Sequence, residues 1–150
     1  MKKLIILFVF CVISLFSYSQ KIYHGNSTYK SDIIYNVSNG YVYKGNTKYN
    51  SNILCYFDGK YLYKGNSKYK SNIIFTWANN KIYRGNSTYN SDLIATYRNN
   101  KLYYKNSYDV IWRLENNKIY YGDYTYNSSI LIRISSFIHP FILFYILYNN

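Results

Sequence analysis

The feature that most constrains this chain is a sequence repeat with a period of 20 residues, beginning at Lys21. Four consecutive units carry one pattern and occupy residues 21–40, 41–60, 61–80 and 81–100. A fifth unit, 101–117, lacks three loop residues, and a sixth occupies 118–136. Because a repeat of this length is one small structural unit that cannot bury its apolar face alone, the six units must fold against each other.

Each unit contains two short apolar stretches, which are rich in Ile, Val and Tyr and too short for helices. We interpret each unit as a β-hairpin, with residues 81–83 typical of the first strand and residues 92–97 typical of the second. A Gly-Asn pair such as Gly85-Asn86 marks the bend within a unit. Residues that tolerate the positive φ of a tight hairpin turn lie between units, at Asn39-Gly40, Asp58-Gly59, Asn79-Asn80, Asn99-Asn100 and Asn116-Asn117.

Side-chain alternation along the second strand predicts the core face, because a strand exposes alternate residues to the same side. The series typified by Ile73, Phe75 and Trp77 is apolar or aromatic in every unit. Its other members are Ile33, Tyr35, Val37, Ile53, Cys55, Phe57, Leu93, Ala95, Tyr97, Val110, Trp112, Leu114, Ile130, Ile132 and Ile134. A two-residue turn at Asn79-Asn80 further predicts that Trp77 lies opposite Ile82, and Tyr83 opposite Thr76.

The pattern IYxGNSxYxSDII, present at 22–34 and similar at 82–94, resembles the bacterial β-flowers. In these small, often secreted proteins, four or five short hairpins surround a central axis. The resemblance covers residues 21 to about 136 and implies an all-β fold of tandem hairpins closed into a flower-like or propeller-like ring. It carries no catalytic residue across. The chain departs from the pattern at Lys105, which replaces the recurring glycine, and in having six units, so open stacking stays an alternative to ring closure.

The N-terminus predicts a secretory signal peptide over residues 1–19. Lys2 and Lys3 precede the apolar run 4–16, and Ser17 and Ser19 supply the small residues that signal peptidase requires. We expect cleavage after Ser19 or Gln20, which would lower the formal charge from +12 to +10. An uncleaved membrane anchor is the alternative, although the run is shorter than the roughly 20 residues that span a bilayer. The predicted location is therefore secreted or extracytoplasmic, in the periplasm or at the cell surface.

The C-terminal residues 137–150 follow the repeat domain 20–136 and are strongly apolar up to Tyr148, interrupted by His139-Pro140. The stretch is too short to span a membrane. We expect a capping strand or short helix over the last hairpin. The alternative is a contact surface for a membrane or for self-association, because an exposed apolar patch is a liability on a secreted monomer.

The supply of titratable side chains limits the chemistry. The chain has 18 Lys and Arg but 6 Asp and Glu and 2 His, without metal-ligand or acid/base spacing. We therefore predict no enzyme activity, no catalytic residue, no cofactor and no metal. Cys55 is the cysteine left after signal removal and is predicted to be a small buried hydrophobe.

Two repeated series are candidates for ligand binding. Flat aromatic faces with a hydroxyl suit sugar rings, and one tyrosine ladder recurs at Tyr23, Tyr43, Tyr63, Tyr83, Tyr103 and Tyr120. The alternative, which we favour, is that these tyrosines pack between units with their hydroxyls at the surface. Basic side chains recur at Lys44, Lys64 and Arg84, with His24 at the same position, and would form a line near one rim. Such a line could meet anionic polymers outside the cell. The alternative, which we favour, is a solvated edge whose long basic side chains cover apolar surface and discourage edge-to-edge aggregation. A second tyrosine series lies next to the loops.

These features favour a secreted, non-enzymatic structural or binding repeat protein that contacts glycans or anionic cell-surface polymers, with no intracellular nucleic-acid partner. Two alternatives belong to other classes. One is a self-assembling extracellular β-fibre component, because stacked Asn and Tyr ladders could pair between chains. The other is an accessory to a cell-surface enzyme, which would need converging acidic side chains that this sequence scarcely supplies.

Overall fold

A computed structural model describes residues 19–149 of the chain. The predicted signal peptide lies almost entirely outside the described residues, apart from Ser19. Within residues 19–149 the chain forms twelve antiparallel strands and one α-helix. The strands are β1 (Gln20–His24), β2 (Ile33–Ser38), β3 (Tyr41–Lys44), β4 (Ile53–Phe57), β5 (Tyr61–Lys64), β6 (Ile73–Ala78), β7 (Lys81–Arg84), β8 (Leu93–Arg98), β9 (Lys101–Tyr104), β10 (Val110–Glu115), β11 (Lys118–Tyr121) and β12 (Ile130–Ile134).

The strands follow one another around a closed ring, each paired with its neighbours in sequence. The ring closes between β1 and β12, where Ile22 lies opposite Ile134. Closure confirms the predicted all-β ring of hairpins and rejects open stacking. One end of the ring carries the tight turns between units, and we call it the turn end. The other, the loop end, carries the longer loops, most of which include a short 3-10 segment such as Lys70–Asn72.

The tight turns confirm most of the predicted positions. Asn79 and Asn80 have φ values of 50° and 57°, as a type I′ turn requires. Trp77 lies opposite Ile82 and Thr76 opposite Tyr83, as predicted. In the second unit the turn lies one residue later than the predicted Asp58-Gly59. Phe57 pairs with Leu62 and Asp58 donates its N–H to Tyr61, which leaves residues 59–60 in the turn.

A β-bulge in each unit corrects the predicted core face. In the third unit Phe75 pairs with Leu62, but Ile73 pairs with Tyr63, so Ile74 is an extra residue. The first position of each predicted core triplet therefore faces outward, and the extra residue packs against the core instead. The outward residues are Ile33, Ile53, Ile73, Leu93, Val110 and Ile130.

The bulge has a structural role that repeats around the ring. Its extra residue turns its carbonyl toward the next unit, where it accepts a hydrogen bond from the first residue of the following loop. Gly85 donates to Ile74 at 2.8 Å, and Lys105 donates to Ile94 at 2.9 Å. These donors have positive φ, which glycine adopts at little cost and Lys105 adopts at 47°. The same bond occurs at all six junctions between units, including Gly25 to Leu131 across the closure.

The interior of the ring is filled by an α-helix, Pro140–Tyr148, which we call the central helix. It is apolar on every side, as expected of a helix surrounded by protein. Phe141 contacts Phe57 on β4 and Trp77 on β6, with ring centroids 5.2 and 5.7 Å apart. The predicted capping element is therefore a helix, but it lies inside the ring and packs against strands far from the last hairpin. Its apolar side chains are mostly buried, which leaves little of them for membrane contact or self-association.

The start of the central helix lies at the turn end. Pro140 occupies the first turn, where its missing N–H needs no partner. His139 caps the helix by accepting the N–H of Phe141 at Nδ1, 3.2 Å away. Its ring lies 4.8 Å from Phe57 and 5.0 Å from Trp77, so the cap sits in an aromatic cage. Burial lowers the pKa of His139 below its ordinary value of 6.5.

The central helix should dominate stability. Phe141→Ala is expected to lower the free energy of unfolding by about 3–5 kcal/mol, because it opens a cavity in the core. Phe137→Ala removes a ring that is 65 % exposed and should change stability by no more than about 0.5 kcal/mol. Urea unfolding followed by tyrosine and tryptophan fluorescence measures both. Equal losses for the two variants would show that the helix does not carry the core.

Stability should also fall as pH drops below about 6.5. Between that value and its own lowered pKa, the folded protein keeps His139 neutral while the unfolded chain binds a proton, which favours unfolding. His139→Asn retains a capping acceptor and should flatten the dependence between pH 7 and 5. The carboxyls of Asp32 and Asp58, whose pKa values are lowered from 3.8, titrate below this window. Thermal melts at several pH values test this, with His24→Asn as the control; an unchanged slope in His139→Asn contradicts it.

Candidate functional site

The outer wall of the ring is built from rows of three cross-strand neighbours. Each row combines the first residue of a unit, a residue of its second strand and the ladder tyrosine of the next unit. In the fourth unit the row is Lys81, Thr96 and Tyr103. At the first position the other units have Lys21, Lys101 and Lys118, and also Tyr41 and Tyr61. The two tyrosines are the departures from the repeat.

The second and third units therefore carry a cluster of aromatic side chains, which we call the aromatic wall: Tyr41, Tyr43, Tyr56, Tyr61 and Tyr63. Tyr41 and Tyr56 lie opposite each other with ring centroids 4.5 Å apart. Tyr56 stacks on Tyr63 at 6.1 Å, and Tyr61 lies edge-on to Tyr63 at 6.2 Å. Tyr43 and Tyr63 are buried, while the other three rings are partly exposed. The five rings thus form one connected cluster, and Tyr41, Tyr56 and Tyr61 are its partly exposed members.

Two lysines border the aromatic wall. The ammonium of Lys68, in the loop after β5, lies 4.6 Å from the ring centroid of Tyr56 and 6.0 Å from that of Tyr41. The ammonium of Lys60 lies 4.9 Å from the ring of Tyr61. Cation–π attraction holds both charges over the rings. The wall therefore combines apolar ring surface with positive charge.

Asp58 fixes the edge of the aromatic wall at the turn end. One carboxylate oxygen accepts the N–H groups of Lys60 and Tyr61 at 2.8 and 2.7 Å, and the other accepts the hydroxyl of Tyr63 at 2.9 Å. Burial opposes its charge, but these hydrogen bonds together keep the pKa of the carboxyl below its usual value. Burial, followed by the contact with Asp58, raises the pKa of Tyr63. Both groups serve to position the wall.

The opposite sector of the outer wall is charged instead. Lys101 forms a 2.7 Å ion pair with Asp123, and Arg113 forms one of the same length with Glu115. Arg113 also lies 3.5 Å from Asp123. The ring is thus symmetric in its backbone and polarised in its surface, with the aromatic wall on the second and third units.

The structure places the predicted tyrosine ladder on the outer face, mostly as packing. Tyr43, Tyr63, Tyr83 and Tyr120 are no more than 9 % exposed. Tyr23 and Tyr103 are partly exposed, and the guanidinium of Arg98 covers the ring of Tyr103 at 3.9 Å. The ladder therefore offers little ring surface by itself. Tyr43 and Tyr63 belong to the aromatic wall, where the partly exposed Tyr41, Tyr56 and Tyr61 extend them.

The predicted basic line lies at the loop end, on the inner rim. Lys44, Lys64 and Arg84 pair with the core-facing Tyr35, Cys55 and Phe75, so they point toward the axis where the central helix ends. All three are exposed. His24, Tyr104 and Tyr121 complete the rim. The structure does not bring this rim together with the aromatic wall, which faces outward.

The loop tyrosines of the first four units are strongly exposed. Tyr29, Tyr49, Tyr69 and Tyr89 are 69–77 % exposed. Hydroxyl groups hold their backbones in place: Ser27 Oγ accepts the N–H of Tyr29 at 3.1 Å, as Ser67 and Ser87 do in their units. Asp32 and Asp92 accept hydrogen bonds from the same serines. These acids therefore brace loops and do not form a carboxylate pair.

Metal binding and thiol chemistry find little support in the part of the chain that the structure describes. Among residues 19–149 no group of three or more His, Cys, Asp or Glu side chains could hold a metal ion. Cys55 is buried, as predicted, and burial raises the pKa of its thiol well above the ordinary value. Over the same residues, no helix is long and apolar enough to cross a membrane.

Sequence reasoning missed Tyr41, Tyr56, Tyr61 and Lys68 as site residues. The available signal was a departure from the repeat, because four units carry Lys at the position of Tyr41 and Tyr61. The comparisons with known proteins address only the fold. A family model described as 6-fold beta flower protein matches residues 22–145. No curated protein and no solved structure matches the chain.

Proposed function

This chain belongs to the 6-fold beta flower family, and from that premise we propose that it is an exported, non-enzymatic module that binds anionic glycan chains. The aromatic wall on the second and third units supports this proposal most directly. Partly exposed tyrosine rings present flat faces to the apolar sides of sugar rings, and their hydroxyls suit the hydroxylated edges. Lys60 and Lys68 lie over the rings of Tyr61 and Tyr56, and their ammonium groups suit carboxylate, sulfate or phosphate groups.

The repeat itself strengthens the argument. Four of the six units have lysine at their first position and still form the same strand pairs. Ring closure therefore does not require Tyr41 or Tyr61. Similarly, Thr76 and Thr96 occupy the position of Tyr56. Three aromatic side chains that folding does not demand thus gather in one sector. Exposed aromatic clusters of this kind mark binding surfaces.

Retention on immobilised heparin tests the proposal. The signal-free protein should bind heparin, bind neutral dextran weakly, and bind polyglutamate less well than heparin because it lacks sugar rings. The Tyr41→Ser/Tyr56→Thr double variant should weaken heparin binding about tenfold, since each aromatic contact contributes roughly 0.5–1.5 kcal/mol. Wild-type affinity in that variant would refute a role for the wall. Tyr89→Ser, which removes an exposed loop tyrosine, is the matched control.

The contribution of charge is separated by a second pair of variants. Lys68→Thr introduces the residue found at the equivalent positions Thr28 and Thr88. Lys30→Asn likewise introduces the residue found at Asn50 and Asn90. Each variant removes one positive charge and leaves a side chain that other units carry at that position. Lys68→Thr should weaken heparin binding and reduce its dependence on salt more than Lys30→Asn does. Equal effects would assign binding to net charge alone.

Export is tested separately by the intact mass of protein recovered outside the cytoplasm. We expect a chain that begins at Gln20 or Lys21, because signal peptidase should cut after Ser19 or Gln20. Gln20 and Lys21 lie in β1, which closes the ring, so a cut further along would remove a closing strand. Full-length protein, or none outside the cytoplasm, would contradict export.

A further inference from the structure

The interior of the ring is filled unevenly. The central helix packs its aromatic side chains against the second and third units, where Phe144 meets Phe75 at 5.3 Å and Phe141 meets Phe57. On the other side, between the helix and β8–β10, a cleft of about 280 Å³ remains. Its walls are almost entirely apolar and include Ile94, Leu102, Ile111, Trp112, Phe144 and Leu147.

The sequence explains why the interior is thin at this point. One inward position of the repeat carries Tyr35, Cys55, Phe75, Ala95, Trp112 and Ile132 in the six units. Ala95 is the smallest of them, and it pairs with Tyr104, which borders the cleft. The fourth unit therefore contributes less volume to the core than the third. An apolar gap that stays unfilled loses van der Waals contacts, so a ligand that fills it would gain them.

The cleft opens beside a basic recess at the loop end. Tyr104 and Tyr148 border both spaces, and the recess, of about 430 Å³, also carries Arg84, Lys105 and Asp92. Asp92 is engaged by the hydroxyl of Ser87 at 2.5 Å. Two cations against one acid give this mouth a positive balance. An apolar slot with a cationic mouth is complementary to an anionic head on a hydrocarbon chain.

We propose that this cleft binds a single-chain anionic amphiphile of the fatty-acid class, with its alkyl chain beside Trp112 and its carboxylate between Arg84 and Lys105. The volume of about 280 Å³ lies just below the about 300–1,000 Å³ range of small-molecule pockets, which suits one short chain and excludes a two-chain lipid. The indole N–H of Trp112 is buried and has no hydrogen-bond partner among residues 19–149. Trp112 also supplies a fluorescent reporter in the cleft wall. This site is separate from the aromatic wall.

Titration of the signal-free protein with decanoate tests the proposal by calorimetry and tryptophan fluorescence. We expect saturable binding of one decanoate per chain, with a change in Trp112 emission that is lost in Trp112→Phe. Decyltrimethylammonium has a similar chain and the opposite charge, and should bind at least tenfold more weakly. Absence of saturable decanoate binding overturns the proposal, and equal binding of the two probes overturns the assigned head-group contact.

The repeat offers matched variants. Ile94→Phe should fill the cleft and abolish decanoate binding, whereas Ile34→Phe makes the same change at the equivalent position of the first unit and should preserve it. If Ile94→Phe does not fold, Arg84→Gln at the exposed rim still decides: it should weaken decanoate binding about tenfold, and Lys64→Gln should not. Wild-type affinity in Arg84→Gln and in a folded Ile94→Phe would refute the site. The Tyr41→Ser/Tyr56→Thr variant should bind decanoate normally, so failure of one proposal leaves the other testable.

Discussion

The width of the ring is the constraint on which the rest of the structure depends. A barrel of about eight strands is just narrow enough for its own side chains to fill, and a wider one leaves a central space. Here twelve strands, each contributing only two or three inward residues, surround an axis that Pro140–Tyr148 occupies. The central helix lacks a polar side because every side faces the ring. The N-terminal cap of the helix is enclosed as well, because His139 accepts the N–H of Phe141 while its ring lies between Phe57 and Trp77.

The backbone hydrogen bonds repeat in every unit and close the ring, whereas the side chains that differ between units create its distinct surfaces. The bulge recurs in each unit and the bond from the loop to the bulge carbonyl recurs at all six junctions of the ring, including the one between β12 and β1, so closure rests on features that every unit shares. Departures from the repeat leave this framework intact and alter side chains on the outer wall and in the interior. Tyr41, Tyr56 and Tyr61 create an aromatic sector, while Ala95 leaves the interior thin. A repeat protein can thus acquire distinct sites on a symmetric scaffold without changing its folding rules.

The sequence was most informative about what each unit does with its nearest neighbour. Turn residues and alternation predicted the hairpins and the pairing of Trp77 with Ile82, because both depend on local geometry. The sequence did not predict the bulge at Ile74. Residues 73–75 are all apolar, so alternation does not show which of them face the core and which face outward. The position of the central helix inside the ring was not predicted either. Its uniform apolarity indicates that it is buried but does not identify the strands that it packs against. The aromatic wall combines residues from adjacent units, such as Tyr56 and Tyr63, so the pattern within a single unit does not predict it.

Ring closure also bears on how such a chain could assemble. A fibre built by strand addition needs an exposed edge with unpaired N–H and C=O groups. In the described ring β1 pairs with β12, so both strands that would form edges in an open array are used internally. Strand addition to the closed ring therefore has no free edge at β1 or β12. The cations of the inner rim suit a different task. They face the carbonyl end of the central helix, whose partial negative charge stabilises cations. An anionic ligand at the rim would therefore contact cations that already stabilise the end of the helix.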